Sequence, residues 1–198
     1  MALDKYPWSE KYGWLSDKFG VSWQVSLGKL SDVGQKITPS LLFTQDHFGK
    51  AEEAIGFYTS VFKNSSVDGI LKWPEEQGKE LAGKVQHAQV VLDGNKMMLM
   101  ESLGHQFTFS EGVSLTIYCD SQEEVDYYWE RLGEGGDEKA QQCGWLKDKY
   151  GLSWQVIPAV LIEMLNDADK RKSQKVMEAM LQMKKIDIAE LHRAAVAE

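Results

Sequence analysis

Cysteine, proline and positive charge are all scarce in this chain of 198 residues. There are two cysteines and four prolines, and 22 Lys and Arg stand against 30 Asp and Glu, for a net charge of −8. Cys119 and Cys143 lie far apart with no CxxC pair, which argues against a disulfide framework and for a reduced compartment. The acidic balance, with a pI near 5.1, argues against a general nucleic-acid binder, which needs a basic surface to neutralise phosphates. No apolar run approaches the ~18 residues of a membrane-spanning helix. The first residues, MALDKYPWSEK, contain no apolar stretch of the kind a secretory signal requires. A cytoplasmic protein is the plain expectation. Hydrophobic residues at 43% and charged residues at 26% are ordinary for a globular chain of a length that can bury a core.

Against these absences stands one conspicuous presence. The stretch GWLSDKFGVSWQV (13–25) returns as GWLKDKYGLSWQV (144–156). Aligning 12–25 with 143–156 matches ten of fourteen positions at a constant offset of 131, including two tryptophans. Each copy reads as a β-hairpin, with Asp-Lys-aromatic-Gly as its turn and glycine supplying the positive φ. The intervening sequence shows no period of the ~20–50 residues that marks a solenoid.

Between the copies the pattern is mixed. Residues 35–44 read as a strand with a Thr-Pro lead-in. Residues 49–62 are amphipathic, with Ala51, Ala54, Ile55, Tyr58 and Phe62 at helical spacing. Strands follow at 67–73, 85–92 and 96–101, the last two joined by the hairpin signal Asp93-Gly94. A strand at 113–119 leads to a helix at 121–132, with Ser121 and Glu124 placed as a capping box. A polar loop at 133–140 precedes the second hairpin. The order is therefore β-α-β-β-β and then β-α-β-β, with a short or irregular strand expected in the second half. After Pro158, residues 160–167, 172–184 and 187–197 show helical periodicity. Ser173, Val176, Met177, Met180, Leu181 and Met183 form one stripe, mostly apolar, expected to pack against the body or a partner.

Two successive βαβββ units carry ITPSLLF and AEEAIGFYTSVFKNS at the start, HAQVVLDGNKMMLMES in the middle and CGWLKDKYGLSWQVIP at the end. They resemble the PhnB-like branch of the vicinal-oxygen-chelate superfamily, which includes glyoxalases, extradiol dioxygenases and bleomycin-resistance proteins. The branch often carries the label 3-demethylubiquinone-9 3-methyltransferase. The resemblance covers roughly 36–158, and QMKKIDIAEL is similar to tails in the same branch. It implies an α+β fold in which paired βαβββ units form a cupped mixed sheet, followed by a C-terminal helical tail.

The resemblance also implies where chemistry would sit. Members that catalyse hold a divalent metal in the cup, because a Lewis acid must bind two adjacent substrate oxygens. Carried over to this chain, the four ligand positions fall on Thr38, Met98, Ser114 and Gln155. Of these, Gln155 alone is of a ligand type that hard or borderline metals accept. The expectation is a pocket lined by Thr38, Met98, Ser114, Tyr118 and Gln155 with no metal and no cofactor. The methyltransferase label fares no better. No G-x-G-x-x-G loop joins a strand to a helix, and Gly133, Gly135 and Gly136 follow a helix instead.

Other candidates are weaker. His87 begins a strand and could act as a general base, with Glu101 meeting it across the hairpin; a plain polar pair at a strand end is the simpler expectation. His47, His105 and His192 form no spaced metal set. By alternation, if Gln155 faces the cup then Trp154 packs beneath the helices. Two functional classes stay open: a small-molecule-binding module, and an enzyme using an undetected metal or His87 and Glu101. The resemblance implies a homodimer, with exchange of the N-terminal hairpin as one form of it. The expected divisions are 1–27, the closing hairpin of a preceding module; 36–158, the double βαβββ module; and 159–198, the tail.

Overall fold

The structure, a computed structural model, describes residues 1–197, and of Asp32 and Val33 the backbone alone. It divides into two compact units, Met1–Pro39 and Ser40–Glu198.

The first unit is a three-stranded antiparallel sheet, β1 (Asp4–Tyr6), β2 (Ser9–Ser16) and β3 (Ser22–Ser26), in the order β1-β2-β3, followed by a single helical turn α1 (Leu30–Val33). The turn between β2 and β3 is held by Asp17, whose Oδ1 accepts from the amides of Phe19 (2.9 Å) and Val21 (3.0 Å). Gly20 closes it at φ +87°, a value that favours glycine. Among the described residues of this unit, Gly13 alone is buried.

The second unit opens with β4 (Ser40–Phe43), α2 (Ala51–Val61), β5 (Ser66–Lys72), β6 (Val85–Leu92) and β7 (Asn95–Glu101). The four strands form one sheet in the order β4-β7-β6-β5, with β4 parallel to β7 and the rest antiparallel. β4 is shorter than the 35–44 expected. Pro39 has no N–H to donate to a ladder, and pairing begins at Ser40. At the β6–β7 turn Asp93 (φ +47°) and Gly94 (φ +77°) both take positive φ, as a tight two-residue hairpin requires.

The second half comprises β8 (Ser114–Cys119), α3 (Gln122–Gly133), β9 (Trp145–Lys147) and β10 (Ser153–Pro158), with strand order β8-β10-β9. Among the described residues no strand corresponds to β5. The segment between α3 and β9, GEGGDEKAQQ, lacks the β-branched alternation a strand uses and forms a 3-10 turn at Glu138–Ala140 instead. Ser121 caps α3, its Oγ accepting from Glu124 N at 3.2 Å. Glu124 reaches back to Asp120 N at 2.9 Å, a capping box shifted by one residue. The apolar faces of α2, α3 and both sheets meet in one core that includes Phe43, Tyr58, Leu99, Val125, Leu146 and Trp154.

The tail forms α4 (Ala159–Leu165), α5 (Lys170–Met180) and α6 (Ile188–Val196). Of the expected apolar stripe, Val176 and Met183 are buried in a satellite core with Ile157, Leu161, Ile186 and Leu191. Met177 and Leu181 are exposed. The tail is tied to the body by backbone bonds from Cys143 N to Met183 O and from Gly144 N to Lys184 O, both 2.8 Å. Gln122 adds two more, donating to Ile186 O and accepting from Ile188 N. No helix among the described residues is long and apolar enough to cross a membrane.

Candidate functional site

Strand alternation sorts the second sheet into two faces. Val156 and Trp154 turn toward the core. Tyr58 packs tilted against the indole and Phe62 stacks on it, at centroid distances of 5.7 and 5.4 Å, and Asp148 accepts its Nε1 hydrogen bond at 2.8 Å. Gln155 therefore faces the other way, as expected. In register beside it stand Thr116 of β8 and Trp145 of β9, while Tyr118 lies beside Ile157.

This outer face is the floor of a cavity of about 260 Å³, made by Thr116, Tyr118, Cys143, Trp145, Gln155 and Ile157. Its roof is the tail: Leu161, Ile162 and Leu165 of α4 and Met180 of α5. Thr116 and Tyr118 are exposed, so the cavity opens along β8. Gln155 Nε2 donates to Ser114 Oγ at 2.8 Å, which fixes the amide. Among the described residues Oε1 has no donor, and it is left as an acceptor toward the cavity. Cys143 takes φ +52°, which turns the chain from the 3-10 segment into β9.

Of the five pocket residues expected from sequence, Tyr118 and Gln155 line this cavity, and Ser114 holds Gln155. Met98 stands on the other sheet, opposite Ser40 and Gln89. Thr38 belongs to the first compact unit. Because β4 begins two residues later, Ser40 holds the position opposite Met98. Thr116, Cys143 and Ile157 were missed; Thr116 and Ile157 are each two residues from a residue already singled out on the same strand and so share its face, whereas Cys143 precedes β9 in a turn that alternation does not describe. The roof was missed because periodicity shows an apolar stripe without showing what it covers.

His87 and Glu101 do not meet. Ala88 pairs with Leu99, so Glu101, two residues beyond Leu99, shares the core face with Ala88, and His87 points to the opposite face. Burial lowers the pKa of His87. Glu101 is buried and structural: Oε1 accepts from Ala51 N at 2.9 Å, at the start of α2, and Oε2 from Val85 N at 2.6 Å. A carboxylate at a helix N-terminus satisfies an otherwise orphaned amide and complements the helix dipole.

Cys119 does not read as an activated thiol. Cys119 is buried and its pKa is pushed up to about 12, first by burial and then by Glu124 and Asp120. The glycines after α3 also have a packing explanation. A Cβ on Gly136 would lie 2.0 Å from Lys147 O, so this segment must pass close to β9.

A β-α-β-β-β unit followed by a β-α-β-β unit, each with its own sheet, is the mixed α+β architecture of the glyoxalase-fold class. The profile of the family described as 3-demethylubiquinone-9 3-methyltransferase matches residues 35–157, and the chain belongs to that family. The PhnB protein from Bacillus cereus is 39% identical, with 63% of this chain and 100% of that chain covered and a TM-score of 0.56. Protein PA1353 from Pseudomonas aeruginosa is 24% identical over 63% of this chain and 97% of its own, with a TM-score of 0.48. The fosfomycin resistance protein FosX from Listeria monocytogenes is 15% identical over 68% and 99%, with a TM-score of 0.47. No protein of curated function matches the chain.

The residues present do not fit the groups these names imply. A methyl donor of the adenosine type needs a glycine loop between strand and helix; here the glycines come at the end of a helix, and Gly136 packs against β9. A divalent metal needs imidazole or carboxylate donors. The four positions that the resemblance assigns instead carry a neutral amide, hydroxyls and a thioether, and no cluster of three or more His, Cys, Asp or Glu forms among the described residues.

Proposed function

We propose that the chain binds a small, uncharged, largely apolar molecule in the cavity between the β8-β10-β9 face and its own tail, without a catalytic metal. The wall composition carries this reading. The lining contains no Asp, Glu, Lys, Arg or His, so a charged ligand would lose its hydration with nothing in return. Trp145 offers a flat apolar surface, and Gln155, held by Ser114, offers one acceptor for orientation. Ligand sites typically combine an apolar wall with a few placed polar groups in this way. A dry apolar cavity of about 150 Å³ accommodates benzene, so the larger space here suits a ring with a short polar substituent.

Thermal unfolding with benzamide and phenylphosphonate as probes tests the proposal. Benzamide at about 100 times its Kd should stabilise the fold by about 2.7 kcal/mol. Gln155→Leu should weaken it about tenfold, and phenylphosphonate should have no effect. Stabilisation by the phosphonate and not the amide would overturn the uncharged-ligand reading. A saturable shift with Ni²⁺, Zn²⁺ or Mn²⁺ that Gln155→Ala abolishes would sink the metal-free part.

A further inference from the structure

The two hairpin copies share one local design. Asp17 Oδ1 accepts from the amides of Phe19 and Val21, and its Oδ2 accepts from Trp23 Nε1 at 2.9 Å. Asp148 repeats all three bonds with Tyr150, Leu152 and Trp154. The surroundings differ. Trp154 is 3% exposed and Val156 0%, whereas Trp23 is 41% and Val25 47% exposed.

What covers the second copy is visible. β8 adds in parallel to the free side of β10. Tyr58 of α2 packs tilted against Trp154, Phe62 just past the end of α2 stacks on it, and the Tyr58 hydroxyl donates to Asp148 Oδ2 at 2.8 Å. The first copy differs on the Trp23 face and at the strand. Among the described residues β3 pairs with β2 alone in its sheet, and all five of its residues are exposed. Leu15 and Val25 lie on the Trp23 face, because Leu15 pairs with Trp23 and Gly13 with Val25. Exposed apolar strands with unpaired edges are templates for strand addition.

We infer that the Leu15–Trp23–Val25 face of β2–β3 docks an open half-module of the same fold. The partner contributes a strand that adds parallel to β3 and a helix whose tyrosine hydroxyl donates to Asp17 Oδ2. A second copy of this chain does not meet the requirement, because its own platform is already closed by β9–β10. Exchanging hairpins between two copies uncovers one for every one it covers.

The test joins residues 40–142 of this chain, which carry such a platform without its hairpin, through a flexible linker to the N-terminus of the full chain. Backbone amides of 22–26 should gain protection from hydrogen exchange by roughly 100-fold. Trp23→Arg in the fusion should erase the gain. Unchanged exchange at 22–26, or a gain that survives Trp23→Arg, overturns the inference. A second measurement does not depend on the fusion folding. Lys147→Ser, Tyr150→Phe and Leu152→Val together write the first copy into the second position of the full chain. A melting temperature within roughly 10 °C of wild type is expected, and loss of the fold would show that the first copy does not fit such a platform. Sedimentation of the unaltered chain as a dimer that Val25→Lys dissociates would assign the face to a second copy and overturn the choice of partner.

Discussion

Asp17 and Asp148 occupy the same place in two nearly identical stretches and make the same turn bonds, yet their acidities move in opposite directions. Asp17 lies in the open, and the hydrogen bond from Trp23, followed by those of nearby backbone amides, holds its pKa below the ordinary value. Asp148 is buried, and desolvation raises its pKa despite four hydrogen bonds to the carboxylate. The turn network is thus a property of the short sequence itself: an Asx-type turn plus an indole that reaches back to it. The environment of that network is supplied by other segments. α2, α3 and β8 convert an exposed turn into a core element and change the cost of its charge.

Paired substitutions measure how far the two copies have diverged. The largest contrast should come from Trp154→Ala and Trp23→Ala. The first empties a core site at about 3–5 kcal/mol; the second should cost under about 0.5 kcal/mol, both by urea denaturation. Equal losses would mean that the first copy is covered as well. Asp148→Ala should cost about 3 kcal/mol, because Trp154 Nε1 and Tyr58 OH lose their acceptor inside the core. Asp17→Ala should leave the urea midpoint of global unfolding unchanged. Tyr58→Phe, which removes the one bond that Asp17 has no counterpart for, should cost about 1–2 kcal/mol and raise the pKa of Asp148 further, because the hydroxyl's hydrogen bond holds it down.

The smallest effect is the titration. The folded pKa of Asp148 is raised, so its contribution to stability is full below the unfolded value of 3.8 and is lost as pH rises through the folded value. The folded pKa of Asp17 is depressed, so its contribution is present above 3.8 and is lost as pH falls through the folded value. Carboxyl-carbon NMR should find the two midpoints on opposite sides of 3.8. Midpoints on the same side would remove the electrostatic difference between the copies.

Much of the second unit was legible because its signals are local. Asp93-Gly94 marks its hairpin, Ser121 and Glu124 mark the start of α3, and the strand alternation of 153–158 assigns Trp154 to the core and Gln155 to the cup. The candidate site was less legible. Thr38 was placed by likeness, and the start of β4 after Pro39 moves that position to Ser40. His87 and Glu101 looked adjacent along the hairpin, but one residue of register puts them on opposite faces. Met180 and Leu165 carry no mark of their role, because a helix's apolar stripe does not say which sheet face it will cover. The uncovered state of Trp23 was equally hidden, since its sequence is nearly that of a buried residue.

The roof of the cavity is part of the chain's own C-terminal segment, fastened by Met183 and Lys184 carbonyls and by Gln122. On the proposed reading, occupancy and tail closure would be linked equilibria: a molecule resting between Trp145 and Leu165 would add its contacts to those that keep α4 and α5 in place. Met183 and Ile186, buried in the satellite core and outside the cavity lining, would then bear on the guest through the tail alone.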